Sequence, residues 1–181
     1  FATWAPNVYR HYKGHMDSLF EKMPHLRRIF GRKCVFACVA FNFGPRVCTA
    51  SHRDQLNLPY GWCGIFAIGS FDSKLGGHLV LDDLKKIIEF PAGSLILIPS
   101  ATLTHRNTPV QAYETRLSFT LFSAGGLFRF VDNGFQTEKD LRKKNPNQYT
   151  KMMAEKKVRW RVGCSLWSKL DDLVEAVSQD R

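Results

Sequence analysis

No stretch of this chain stays apolar for the ~20 residues that a membrane helix needs, and no basic, apolar and small-residue succession of a secretory leader opens it. A membrane-bound protein is therefore not expected. The chain opens at Phe1 rather than Met, as expected of a trimmed or partial chain, so targeting signals can lie outside it. Cysteine is sparse and badly spaced for bridges or zinc. There are five, at 34, 38, 48, 63 and 164, an odd number with no CxxC pair. That argues against a disulfide framework and a Cys-rich zinc site, and for a reducing, intracellular setting. Cys34, Cys38, Cys48 and Cys63 lie in apolar runs and read as core thiols. Acidic residues are also few, 16 against 26 Lys and Arg. Internal repeats and low-complexity tracts are missing too.

The basic excess is concentrated. Lys139, Arg142, Lys143, Lys144, Lys151, Lys156, Lys157, Arg159 and Arg161 face only Asp140 and Glu155 in their segment. Such a patch attracts polyanions and fits nucleic acid, although a solvated helical face has the same composition. A length of 181 residues with 44% hydrophobic content and 14 Phe suits one domain with a real core. It divides into an N-terminal helical segment (1–33), a β-rich centre (34–124) and a C-terminal helical segment (125–181). A monomer is expected.

Residues 1–15 read as irregular, 16–23 as a helix, and 25–30 as a second short helix after Pro24, ended by Gly31. His11, His15 and His25 have no metal spacing and read as surface histidines. From Cys34 the period changes. Eight short β runs follow, at 34–43, 46–54, 62–71, 78–83, 86–90, 94–99, 104–108 and 115–122, separated by Gly and Pro. This regular spacing predicts a mainly β fold with flanking helices, a jelly-roll barrel rather than βαβ units. Helices are predicted near 137–144, 146–154 and 165–177.

Chemistry concentrates at Ser51-His52-Arg53-Asp54. On a strand His52 and Asp54 face the same way, about 6–7 Å apart. His105 follows 51 residues after Asp54, and Arg116-Leu117-Ser118 starts 11 residues after His105. Two imidazoles and a carboxylate can occupy one face of an octahedral Fe(II) and leave three positions open. A chelating 2-oxo acid fills two of those and O2 the third. Arg116 and Ser118 share a face of the last strand, so a guanidinium fork and a hydroxyl can hold the distal carboxylate of 2-oxoglutarate. Taken singly, His105 reads equally as a loop histidine and Arg116 as half of a surface ion pair. Arg116 lies in an otherwise apolar strand, where an unpaired charge is costly, and that favours the anchor. His78 reads as solvent-facing, Asp82-Asp83 as a solvated turn, and Cys63 as core.

Over residues 34–124 this set resembles the Fe(II)/2-oxoglutarate-dependent dioxygenase superfamily, and Gly76-Gly77-His78-Leu79-Val80-Leu81 resembles a turn and strand of its prolyl-hydroxylase-like members. A narrower likeness is to the TET/JBP group, which oxidises methyl groups on pyrimidines in DNA. His52-Arg53-Asp54-Gln55-Leu56-Asn57 is similar to that group's HRDxxN stretch, and Arg116 to Phe122 to its RxSxxxY segment, with Phe for Tyr. The whole chain looks most like the compact fungal-type branch. The resemblance implies a double-stranded β-helix, with His52, Asp54 and His105 as iron ligands and Arg116 and Ser118 on 2-oxoglutarate. It also implies Asn57 and Phe122 on a flipped base, DNA as the partner and a nuclear location. One position departs: where animal members carry His two residues after the stacking aromatic, this chain has Ala124. Arg116, Ser118, Thr120 and Phe122 share a face, and six residues span about 20 Å of strand. Phe122 can then stand at the mouth while Arg116 lies deep, though a core aromatic at the barrel rim fits as well. The expected reaction is hydroxylation of a methylated base, 5-methylcytosine in DNA favoured. The alternatives are the same chemistry on a protein side chain or small metabolite, and a catalytically dead nucleic-acid-binding jelly roll.

Overall fold

The computed structural model describes residues 1–28 and 30–179. They form two compact units, one of residues 36–124 and one of residues 1–35 with 125–181.

The unit of residues 36–124 is built from seven short strands, all paired antiparallel: β1 (Cys38–Asn42), β2 (Cys63–Ser70), β3 (Leu79–Leu81), β4 (Lys86–Ile88), β5 (Leu95–Ile98), β6 (His105–Asn107) and β7 (Thr115–Phe122). They make a four-stranded sheet, β1-β7-β2-β5, and a three-stranded sheet, β4-β3-β6. This is the double-stranded β-helix that the strand spacing predicts. Alternation along the strands buries Cys63, Ala67, Leu79, Leu81 and Ile98, which cluster with Phe90. Ile65, Phe71, Ile88, Ile96, Leu103 and Phe122 pack around that cluster.

The second predicted run, 46–54, is not a strand. Its backbone pairs with the sheets at isolated bridges, Arg46 to Arg116 and His52 to His105, rather than in a ladder. A side chain supplies the hydrogen bonds that a ladder would otherwise give. Buried Asn107 accepts from the Thr49 amide (2.8 Å) and hydroxyl (2.7 Å) through Oδ1. Its Nδ2 donates to the Val47 carbonyl (3.1 Å). The backbone is satisfied without the regular dihedrals of a strand. The first run starts at Cys38 instead of 34, and of the four early cysteines only Cys63 is core. Burial pushes its thiol up to about 12, which makes it an inert filler. Cys38 and Cys48 are exposed and Cys34 is half-buried.

The other unit is helical: α1 (Pro6–Lys22), α2 (Gly125–Asp132), α3 (Glu138–Lys144), α4 (Pro146–Lys156), α5 (Arg159–Ser165) and α6 (Leu170–Gln179). Residues 6–15, expected to be irregular, belong to α1. Pro6 fits the first helical turn because it has no N–H to leave unbonded. Val8, Tyr12, Met16 and Leu19 then recur at helical spacing and are all buried. The predicted helix after Pro24 is replaced by turns at the described residues, Ile29 lying outside them. Helix α2, absent from the sequence expectation, is held by Phe128, which meets Tyr12 edge-on at 4.9 Å. The helices expected at 137–144 and 146–154 are present. Thr137 and Asn145 cap them by accepting from the amides of Asp140 and Gln148. The segment expected at 165–177 is split between α5 and α6. No helix among the described residues is long and apolar enough to cross a membrane.

His11 and His15 are half-buried rather than on the surface. His11 stacks on Phe128 with a ring distance of 5.4 Å and 8° between planes. Burial, with His15 beside it, lowers its pKa to about 4. Burial also pulls His15 down, but hydrogen bonds to Asp132 (2.9 Å) and to the His11 carbonyl (2.8 Å) outweigh it and leave its pKa raised.

Candidate metal and carboxylate site

The three ligand candidates converge because two backbone segments lie side by side. His52 and His105 form an antiparallel bridge, each donating its amide to the other's carbonyl at 3.1 and 3.0 Å. Their rings come within 4.4 Å. His52 Nδ1 lies 2.8 Å from the Ala50 carbonyl, and His105 Nδ1 lies 2.9 Å from the Leu103 carbonyl. A carbonyl can only accept, so both Nδ1 atoms carry the proton in the neutral rings. Both Nε2 lone pairs are then free to bind a cation.

Asp54 completes the group. Its amide donates to the Ser100 carbonyl at 3.0 Å, and its Oδ1 lies 3.7 Å from His52 Nε2. One ligand atom from each of His52, Asp54 and His105 lies within 4.8 Å of the others. That spread can be drawn in by an ion with ligand bonds of about 2.0–2.2 Å. Two neutral nitrogens and a carboxylate suit a divalent transition metal with open positions, so the donor set fits iron.

Asn57 and Ser100, for neither of which the sequence suggests a metal role, shape the carboxylate. Asn57 Nδ2 donates to Asp54 Oδ2 and to Ser100 Oγ, both at 3.2 Å. Its backbone forms an isolated bridge with Ala124, so the position that departs from the resembled pattern lies directly opposite Asn57.

A cavity of about 250 Å³ runs from these ligands along β7. Arg116, Ser118, Thr120 and Phe122 all line it, as the period of two requires. Arg116 is 2% exposed. One of its terminal nitrogens donates to the Val47 carbonyl at 3.3 Å, and its Nε has no partner. Among the described residues no carboxylate pairs with it, and burial pulls its pKa down. An unpaired buried cation is costly unless an anion meets it, so this end of the cavity suits a carboxylate ligand. Ser118, also buried, accepts from Asn42 Nδ2 at 3.1 Å. That bond occupies an oxygen lone pair and leaves the hydroxyl proton free to donate. Asn42 gives no signal in the sequence, since one Asn in a strand follows no motif. Gly77 sits behind Arg116 at φ 72°, where an added Cβ would meet the Phe71 ring at 2.7 Å.

Phe122 does two things: it lines the cavity and packs against the core cluster. His78 stands outside the group of three, half-buried, with Nδ1 3.2 Å from Thr108 Oγ1.

No protein-family model matches the chain, and no curated protein does. Among solved structures, its fold is similar to that of NgTET1 in complex with 5mC DNA, at 15% identity and a TM-score of 0.45. That match covers 67% of this chain, which spans 50% of the NgTET1 chain. It is also similar to the 2OG complex of the viral collagen prolyl hydroxylase vCPH from Paramecium Bursaria Chlorella virus-1, at 14% identity and a TM-score of 0.35. There it covers 60% of this chain and 68% of the other.

Proposed function

We propose that this chain is an Fe(II)- and 2-oxoglutarate-dependent dioxygenase of the TET/JBP type, and that it hydroxylates a methyl group on a nucleobase, 5-methylcytosine in DNA being the favoured substrate. The observation that carries the reading is the pairing of two features in one cavity. A His52–Asp54–His105 group stands on one side, and a buried Arg116 lacking a counter-charge stands further along it.

In this reading Nε2 of His52, Nε2 of His105 and a carboxylate oxygen of Asp54 hold iron. Arg116 and Ser118 hold the distal carboxylate of 2-oxoglutarate, which orients its 2-oxo acid end toward the metal side. Bound iron supplies the redox chemistry in which 2-oxoglutarate, O2 and a substrate methyl group become succinate, CO2 and a hydroxymethyl group. Asn57 keeps Asp54 turned toward the histidines. Phe122 offers a ring at the cavity wall on which an unstacked base can lie. The basic segment 139–161 attracts the phosphates, and a DNA substrate implies work in the nucleus.

One observation favours a second reading, the same chemistry on a protein side chain or small metabolite. Asn57 Nδ2 is committed to Asp54 and Ser100, and Ala124 opposite it offers no polar side chain to a base. The deciding experiment is mass spectrometry of 5-methylcytosine oligonucleotides incubated with protein, Fe(II) and 2-oxoglutarate. The expected product is 5-hydroxymethylcytosine. Succinate formed with peptides but not with oligonucleotides would transfer the assignment to the second reading, and no succinate under any condition would leave the dead binding module.

A further inference from the structure

The sequence reads Asp82-Asp83 as a solvated turn, and solvent does reach both side chains, at 33% and 38% exposure. Yet all four carboxylate oxygens accept hydrogen bonds. Asp82 accepts from Ser51 Oγ (2.6 Å) and Arg106 Nε (3.2 Å), one bond on each oxygen. Asp83 accepts from the Thr104 amide (2.6 Å), while a terminal nitrogen of Arg53 reaches both its oxygens at 3.2 and 3.3 Å. Arg53 Nε also donates to Thr104 Oγ1 at 2.8 Å. Ser51 and Arg53 flank His52, and Thr104 and Arg106 flank His105. Each aspartate thus joins one neighbour of each histidine, and the two do so on opposite sides of the His52–His105 bridge.

That bracket supplies what the backbone lacks. Residues 46–54 are not a strand: Asn107 of β6 ties Val47 and Thr49, the Asp54 amide meets the Ser100 carbonyl, and His52 itself pairs its backbone with β6 through the single bridge with His105. Two hydrogen bonds at that bridge set a separation but leave the two segments some freedom to swing between the ties at Thr49, three residues before His52, and Asp54, two after it. Ties at the preceding and following residues remove that freedom. We propose that Asp82 and Asp83 are positioning residues that hold the two histidines at a metal-chelating separation, an inference that rests on the metal assignment above. They touch neither metal nor substrate.

The test is calorimetric titration of the metal-free protein with Mn(II), a redox-stable stand-in for Fe(II), without 2-oxoglutarate. Wild type, Asp82→Ala, Asp83→Ala and His105→Ala are compared, with urea unfolding of each metal-free protein alongside. Wild type should bind Mn(II) and His105→Ala should not. Residues that orient metal ligands typically change affinity by about 10- to 100-fold. Each aspartate variant should weaken Mn(II) binding by roughly that factor while keeping the wild-type urea midpoint. If an alanine variant does not fold, Asp82→Asn and Asp83→Asn, which retain one acceptor oxygen, should show a smaller loss in the same direction. Mn(II) affinity within twofold of wild type in the aspartate variants would overturn the bracket while leaving the metal site standing. A loss that appears only together with a lowered urea midpoint also counts against it. No Mn(II) binding by wild type would instead remove the metal assignment itself.

Discussion

A guanidinium that is 2% exposed and meets no carboxylate among the described residues suits an anion supplied from outside the fold. Arg116 is therefore the residue whose replacement is most informative. Removing one member of a buried, hydrogen-bonded charge pair costs about 2–5 kcal/mol. Arg116→Ala should then raise the 2-oxoglutarate concentration for half-maximal succinate formation by roughly 30-fold or more, and an unchanged requirement would take Arg116 out of the anchor. Lys is a poor substitute because it lacks the planar fork. Phe122 tests a different interaction. In Phe122→Ala, oxidation of methylated DNA should fall while 2-oxoglutarate affinity, read from substrate-free turnover, stays near wild type. If both fall together with stability, by about 3–5 kcal/mol as for a core aromatic, Phe122 is only part of the core.

Among the elements, β7 is the most legible in sequence and the segment before Asp54 the least. Arg116 to Leu121 alternates polar and apolar residues, so the inward face and the Arg116–Ser118 pair can be read from a period of two. Residues 46–54 read as a strand from their place among the β runs, but Val47 and Thr49 bond to the Asn107 side chain, and no local pattern announces a partner so far along the chain. Asn107→Ala should destabilise the protein by about 1–3 kcal/mol, the cost of buried groups left unpaired, and should also weaken Mn(II) binding, because residues 46–54 lead into His52. An unchanged urea midpoint would show that the segment finds its bonds elsewhere. Helix α2 escapes a sequence reading because its two leading glycines are poor helix formers, whereas Phe128 packing against α1 decides the matter. The same helix pair carries a pH signature. His11 stays neutral in the folded state until pH falls to about 4, whereas its ordinary value is 6.5. The unfolded chain takes up that proton first, so His11 destabilises the fold increasingly as pH drops from about 6.5 toward 4. His15 acts in the opposite sense. Its raised pKa adds stability that is complete below its ordinary 6.5 and disappears as pH rises through the folded value. His11→Phe should therefore lose less Tm than wild type between pH 6.5 and 4, and parallel Tm curves for the two proteins would contradict the assignment.

For the molecule as a whole, the charge balance and the site chemistry bear on one substrate class. If the substrate is the proposed nucleic acid, the exposed lysines in and just after α3 and α4 are the groups to meet its phosphates. Oligonucleotide binding should therefore weaken steeply with salt. Replacing Lys143, Lys144, Lys156 and Lys157 with Gln should reduce the slope of log affinity against log salt by about 0.9 for each duplex phosphate that these lysines neutralise. A slope that does not change would return this face to simple solvation. The β-rich fold is readable from the regular run of short strands, and the His52–Asp54–His105 group from residue types in a familiar order along the chain. The Asn57–Asp54 hydrogen bond, the Asp82-Asp83 bracket and the Asn42–Ser118 bond are not, because each joins residues that no periodicity links. If these residues make an iron- and 2-oxoglutarate-dependent enzyme, the most direct measurement of it is conversion of 2-oxoglutarate to succinate in the presence of methylated oligonucleotide. Wild type should form succinate only when Fe(II) is supplied, and Asp54→Ala should form none. Succinate formation by Asp54→Ala at the wild-type rate, or none by wild type with Fe(II) present, would contradict it.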